Sequence, residues 1–218
     1  MKSFIKLLLI ISIGFACTFL LIKSTGLLTV EQIEGWLIQA KNLSPFYVGS
    51  IIFLLLFADL FIAVPTLTIT ILAGYFLGHV QGALAALTGL MMAGVCGYAL
   101  SHHYGKKILG FLLKDDEQRN DAIDAFQQHG FVMILLSRAM PILPEATACL
   151  AGMTRMPFWQ FLTAWSISTI PYVFIASYAG SISSFEDPKP AIIIAIGISS
   201  FLWISWFFYR RLNRKNIG

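Results

Sequence analysis

The sequence predicts an all-α integral membrane protein, a helical bundle with two opposed re-entrant hairpins arranged as an inverted repeat. Three observations lead there. The 218 residues are 57% hydrophobic and only 12% charged, about half the charged share of a soluble domain. Apolar runs long enough to cross a bilayer recur along the chain. Two other runs are interrupted by acids and prolines, which a plain spanning helix does not need.

In chain order, residues 4–22 form the first expected span. Two lysines before an apolar run imitate a secretory signal. The run continues through "TFLLI" past Cys17, as a retained helix would. "TVEQIEGWLIQAKN" then reads as a short amphipathic helix. Thr29 and Gln32 have capping-box spacing. Ile33, Trp36, Leu37 and Ala40 share one face, with Trp36 expected at headgroup depth.

From Phe46 the apolar signal resumes but is broken. "SIIFLLLFADLFIAVPTLTITILAGYFLG" contains Asp59, Pro65, Gly74 and Gly78. A hairpin that enters the membrane and returns would use them, provided its irregular backbone faces protein or a wet cavity. "GALAALTGLMMAGVCGYAL" is a clear span, rich in small residues that let helices approach. Residues 106–130 are the strongly polar stretch and predict a helix, with Ile123 and Phe126 on its inner face and Gly130 ending it. Its acids read as a solvated face rather than a metal cluster.

The second broken segment is "LLSRAMPILPEATACLAG", residues 135–152, with Arg138, Pro141, Pro144 and Glu145 in apolar surroundings. Spans over 158–179 and 191–209 complete the chain, separated by a tight turn at "EDPKP". The expected organisation is therefore 1–45 for the first span and interfacial helix, 46–180 for a transport core, and 181–218 for a last span and basic tail.

The net charge of +4 is informative through its distribution. Lysine and arginine concentrate at residues 2–6, 106–119 and 210–215, which predicts cytoplasmic termini and a cytoplasmic central segment. In a bacterial plasma membrane, reporter fusions after Lys23, Arg119, Asp187 and Gly218 should alternate accordingly. A periplasmic signal at Arg119 would overturn the topology. The tail "RRLNRK" follows an aromatic span and reads as a helix anchor, so no nucleic-acid partner is expected. Cys17, Cys96 and Cys149 lie in apolar stretches without metal-ligand spacing. No metal and no cofactor are expected, and oligomeric state is not encoded in any recognisable pattern.

"PTLTITILAG" from Pro65 and "PEATACLAG" from Pro144 each end in Leu-Ala-Gly, with an acid near the break. The first is expected to enter from the outer side and the second from the cytoplasmic side, the pattern of an inverted repeat. "FQQHGFVMILLSRAMPILPEATACLAGMTRMPF" also resembles the signature of the DedA family, within the VTT-domain (SNARE-associated Golgi protein) superfamily. Arg138, Pro141, Ala151, Gly152 and Met156 match its pattern. In "LAGYFLGHVQGALAALTGLMMAGVCGYALSHHYG", residues Gly74, Gly78, Gly82, Gly97, Tyr98 and Gly105 fall in place with its Gly-rich first half. The likeness runs over about residues 46–180. Pro144 stands where many DedA proteins have a second arginine, as in other VTT branches. The Pro-Gly-Asp expected near the first break is replaced by Pro65-Thr66-Leu67, and His102 replaces an arginine.

The resemblance implies a membrane lipid transporter, flippase-like or scramblase-like. Its substrate would be a polyprenyl phosphate such as undecaprenyl phosphate, or a phospholipid, with movement in some members dependent on proton-motive force. Its partners would then be membrane lipids and a lipid phosphate headgroup.

Residue chemistry agrees with that implication. A phosphate crossing the bilayer must lose water, and arginine can replace those hydrogen bonds bidentately. An arginine at a helix centre costs about 2.5–3.5 kcal/mol on insertion scales, so it needs a reason to be there. Arg138 is the first candidate ligand. Arg155 is either a second ligand or a side chain snorkelling to the cytoplasmic face. With Pro141, Pro144, Gly152 and Gly74 they form the candidate substrate-binding set.

Glu145 and Asp59 are candidates for proton coupling across a shared cavity; the alternative for Glu145 is a structural pair with Arg138. His102 and His103, beside Tyr104, read as interfacial, as do His79 and His129. A membrane-embedded lipid-modifying enzyme would need a nucleophile or metal cluster near Arg138, and Ser137 has no histidine at a suggestive spacing. A non-transporting scaffold could use plain helices, without charged breaks.

Overall fold

The computed structural model describes residues 44–62, 64–112, 116–139 and 143–183, with isolated residues within 7–20, at 35 and within 189–204. Every element among them is helical. In order they are α1 (Pro45–Ala58), α2 (Thr66–Leu77), α3 (His79–Leu112), α4 (Asp116–Leu136), a 3-10 turn (Ser137–Ala139), α5 (Leu143–Met153) and α6 (Phe158–Ser181). The spans expected at 4–22 and 191–209, the interfacial helix, the basic tail and Pro141 lie outside the described residues, wholly or in large part.

Among the described residues, two stretches are long and apolar enough to cross a membrane: His79–Gly105 within α3, and α6. Helix α1 has 14 residues, α2 has 12 and α5 has 11. At 1.5 Å per residue these reach about 21, 18 and 16 Å, short of the roughly 30 Å hydrocarbon core. Each short helix ends for a local reason. Ser44 caps α1 by accepting from the Tyr47 N–H, with Pro45 at the first helical position. Asp59 follows α1, and its Oδ1 accepts from the Val64 N–H at 3.0 Å, tying off the reversal before α2. Gly78 ends α2 with φ of +79°, a conformation open to glycine.

α5 ends in a Schellman arrangement. The Met156 N–H reaches the Ala151 carbonyl at 3.0 Å, and the Arg155 N–H reaches Gly152 at 3.1 Å. Arg155 holds the left-handed position, φ 58°, that glycine usually fills.

The short helices dock onto the long ones. α2 packs on α6, and α5 packs on α3. A Cβ on Gly74 would collide with the Ser177 carbonyl, and one on Gly180 with that of Ile71, so α2 and α6 touch backbone to backbone. Gly152 meets the Tyr98 carbonyl in the same way. Both Leu-Ala-Gly segments therefore lie at helix crossings.

Two cores result. One gathers Val48, Ile52, Leu56, Ile69 and Val173 around α1 and α2. The other gathers Phe126, Ile134, Leu150, Phe161 and Trp165 around α4 and α5. α3 and α6 run through both. In α4, Phe126 is buried and Ile123 half-buried, whereas Glu117, Asp121 and Asp124 are exposed. Gly130 does not end that helix, because the chain stays helical to Leu136 with the Phe126 ring packed over the glycine.

Candidate functional site

Between the two cores lies a cavity lined by Asp59, Arg138, Glu145 and Trp165, with Leu60 and Leu90 among its apolar walls. Its free space matches about one water molecule. The polar groups come from the two breaks, one acid from the first and the arginine and the other acid from the second. Asp59 stands at the reversal after α1, Arg138 in the 3-10 turn that interrupts the second segment, and Glu145 in the first turn of α5. Pro144 also sits in that first turn, where its missing N–H leaves no intrahelical bond unmade. Two acids distant in the chain and one arginine thus share a water-sized space.

Asp59 and Glu145 are both buried, 3% and 9% exposed, and their carboxyls face each other. The half-buried Arg138 guanidinium donates from Nη2 to the Thr169 hydroxyl at 3.1 Å. Its Cζ lies 5.2 Å from the Trp165 ring centroid and 4.9 Å from that of Tyr172. Arg138 Nε and Glu145 Oε2 are buried without a hydrogen-bond partner. Through these atoms, donor and acceptor are held apart rather than joined as a pair. Buried polar atoms are satisfied in the great majority of cases, so two on one cavity are notable.

The other candidate residues lie elsewhere. Arg155 is exposed and caps α5. Gly74 and Gly152 are occupied in helix packing. The Ser137 hydroxyl donates to the Ile134 carbonyl at 2.7 Å. His102 stacks on Tyr98 and His103 meets Tyr104 edge to face, all at the far end of the α3 span. His79 opens α3 between Phe174 and Tyr178. Among the described residues, no group of three histidine, cysteine or acidic side chains could hold a metal ion.

Trp165, Thr169 and Tyr172 were not singled out by sequence reading. Their spacing of four and then three marks a single helix face. Nothing local says that this face meets an arginine rather than lipid.

Fold and cavity together define an all-helical membrane protein with a small charged site between two half-cores. A family model described as the VTT domain matches residues 64–182, more than half of the chain. The chain belongs to the VTT-domain family, the superfamily within which the DedA signature falls. It is 25% identical over 190 residues to an uncharacterized membrane protein of Synechocystis sp., covering 76% of this chain and 86% of that protein. It is 24% identical over 108 residues to undecaprenyl phosphate transporter A of Bacillus subtilis. That match covers 48% of this chain and 54%, about half, of the transporter. No solved structure matches the chain.

Proposed function

We propose that this protein moves a lipid phosphate, with a polyprenyl phosphate as the preferred substrate, across a bacterial inner membrane and couples the movement to protons. One observation carries the reading: a buried free donor, Arg138 Nε, and a buried free acceptor, Glu145 Oε2, on the same cavity. A singly protonated phosphate monoester has oxyanions for the first and an O–H for the second. A phosphodiester has no O–H on its phosphate and would set its oxyanion against the glutamate. Undecaprenyl phosphate, the substrate in the name of the Bacillus subtilis relative, is a monoester of this kind.

The water-sized cavity is too small for a phosphate, so the substrate enters a more open state. The proposed inverted repeat supplies a way to open it. α2 on α6 corresponds to α5 on α3, each docked through Leu-Ala-Gly, and the short helices fit re-entrant hairpins. Rocking one half against the other would expose the site to each side in turn. Proton exchange at the facing Asp59 and Glu145 carboxyls would bias the direction. With both termini cytoplasmic, α1–α2 opens outward and α4–α5 inward.

The test is transport in liposomes by purified protein, using labelled polyprenyl phosphate and a labelled phospholipid, with and without a pH gradient. The monoester should move faster, and a gradient should accelerate it. Glu145→Gln should keep the fold and flatten the pH dependence. Equal rates for the two lipids in both conditions, or a Glu145→Gln profile identical to wild type, would contradict this reading.

A further inference from the structure

We propose that Trp165, Thr169 and Tyr172, one face of α6, are positioning residues that present the Nε edge of the Arg138 guanidinium to a bound phosphate. The proposal rests on the reading of Arg138 as the phosphate ligand.

The geometry is that of a sandwich. Trp165 and Tyr172 are seven residues apart on one helix, a rise of about 10.5 Å. The guanidinium carbon lies 5.2 Å from one ring centroid and 4.9 Å from the other. It therefore sits between the rings, with Thr169 beneath it on the same face. Rings cover the faces of a planar cation and leave its edges free for in-plane hydrogen bonds. One edge position is taken by the Thr169 hydroxyl at 3.1 Å. Nε, buried and unpartnered, is left for the ligand.

The frame around the arginine is rigid. Trp165 lies against Gly94, where a Cβ would collide with the indole, and its N–H donates to the Leu90 carbonyl at 3.3 Å. Trp165, Thr169 and Tyr172 are all buried. A merely structural arginine would have its donors satisfied, and two carboxyls stand in the same cavity to do so. Here aromatic faces hold the charge while a donor stays open. An ammonium would also be drawn to the ring faces, but it has no plane to stack and no fixed edge to present.

The experiment is binding of a fluorescent short-chain polyprenyl phosphate, with a matched phosphodiester lipid as competitor, to the purified full chain in nanodiscs. Thr169→Val keeps the shape and removes the acceptor, whereas Thr169→Ser keeps the hydroxyl. Trp165→Leu removes a ring face and Trp165→Phe retains one. Thr169→Val and Trp165→Leu should each weaken binding about tenfold or more, the scale of a lost charge-assisted hydrogen bond. They should also lower the monoester-to-diester preference, which general loosening of the helix would not do. Thr169→Ser and Trp165→Phe should restore both. If Trp165→Leu does not fold, the near-isosteric Thr169→Val still decides. Wild-type affinity and preference in Thr169→Val, alongside weakened binding in Arg138→Lys, would overturn the positioning role and leave the proposed function standing. Wild-type binding by Arg138→Lys would remove the reading beneath both.

Discussion

Arg138→Lys is expected to lower lipid-phosphate transport at least about tenfold although the charge is kept, because bidentate and stacked arginines are not replaced by lysine. The ammonium cannot lie between Trp165 and Tyr172 as a plane, and it cannot offer the Nε edge to the cavity. It can still donate to Thr169, so the cavity stays occupied by a cation and the fold should survive. The measurement is initial transport rate in liposomes at matched protein density, beside a melting curve in detergent. A wild-type rate from Arg138→Lys would reduce the arginine to a structural charge.

Gly74→Val is expected to be the most damaging of the single changes to stability. The new side chain has nowhere to go, because its Cβ falls on the backbone of α6 at Ser177, and backbone cannot turn aside as a side chain can. Overpacking of this kind costs about 1–3 kcal/mol and occasionally more. For a chain of this length that is a fall of about 2–12 °C in Tm. Gly49→Ala is the control, since its Cβ would meet only ordinary contacts at 3.9 Å and beyond. Thermal unfolding followed by circular dichroism compares them. Equal melting temperatures for Gly74→Val and Gly49→Ala would mean that α2 does not press on α6 through this glycine.

Much of the architecture was legible from composition and periodicity. The spans seen as α3 and α6 were read from uninterrupted apolar runs, because a helix facing lipid needs little else. The two interrupted segments were read from charges and prolines that such a helix would exclude. Asp59 and Glu145 were expected to face one cavity because the segments around them echo each other, and both line it. Gly74 and Gly152 were weighed as binding residues, but their missing side chains serve the close approach of α2 to α6 and of α5 to α3. Periodicity could not separate these uses, since a glycine reads the same beside a ligand or a neighbouring helix.

What the sequence determined by itself was class and local form: helices rather than strands, apolar spans, and breaks with an acid or arginine held inside them. These follow from short-range physics, the helical period and the cost of charge in an apolar medium. What only the tertiary structure decided was which groups meet. The contact of Arg138 with Thr169 joins residues 31 positions apart, and the Trp165 bond to Leu90 spans 75. In a membrane helix, a tryptophan facing lipid and one facing a guanidinium have the same local signature. The difference lies in the docking of α6 beside the second break, and docking depends on close contact at glycines distant in the chain.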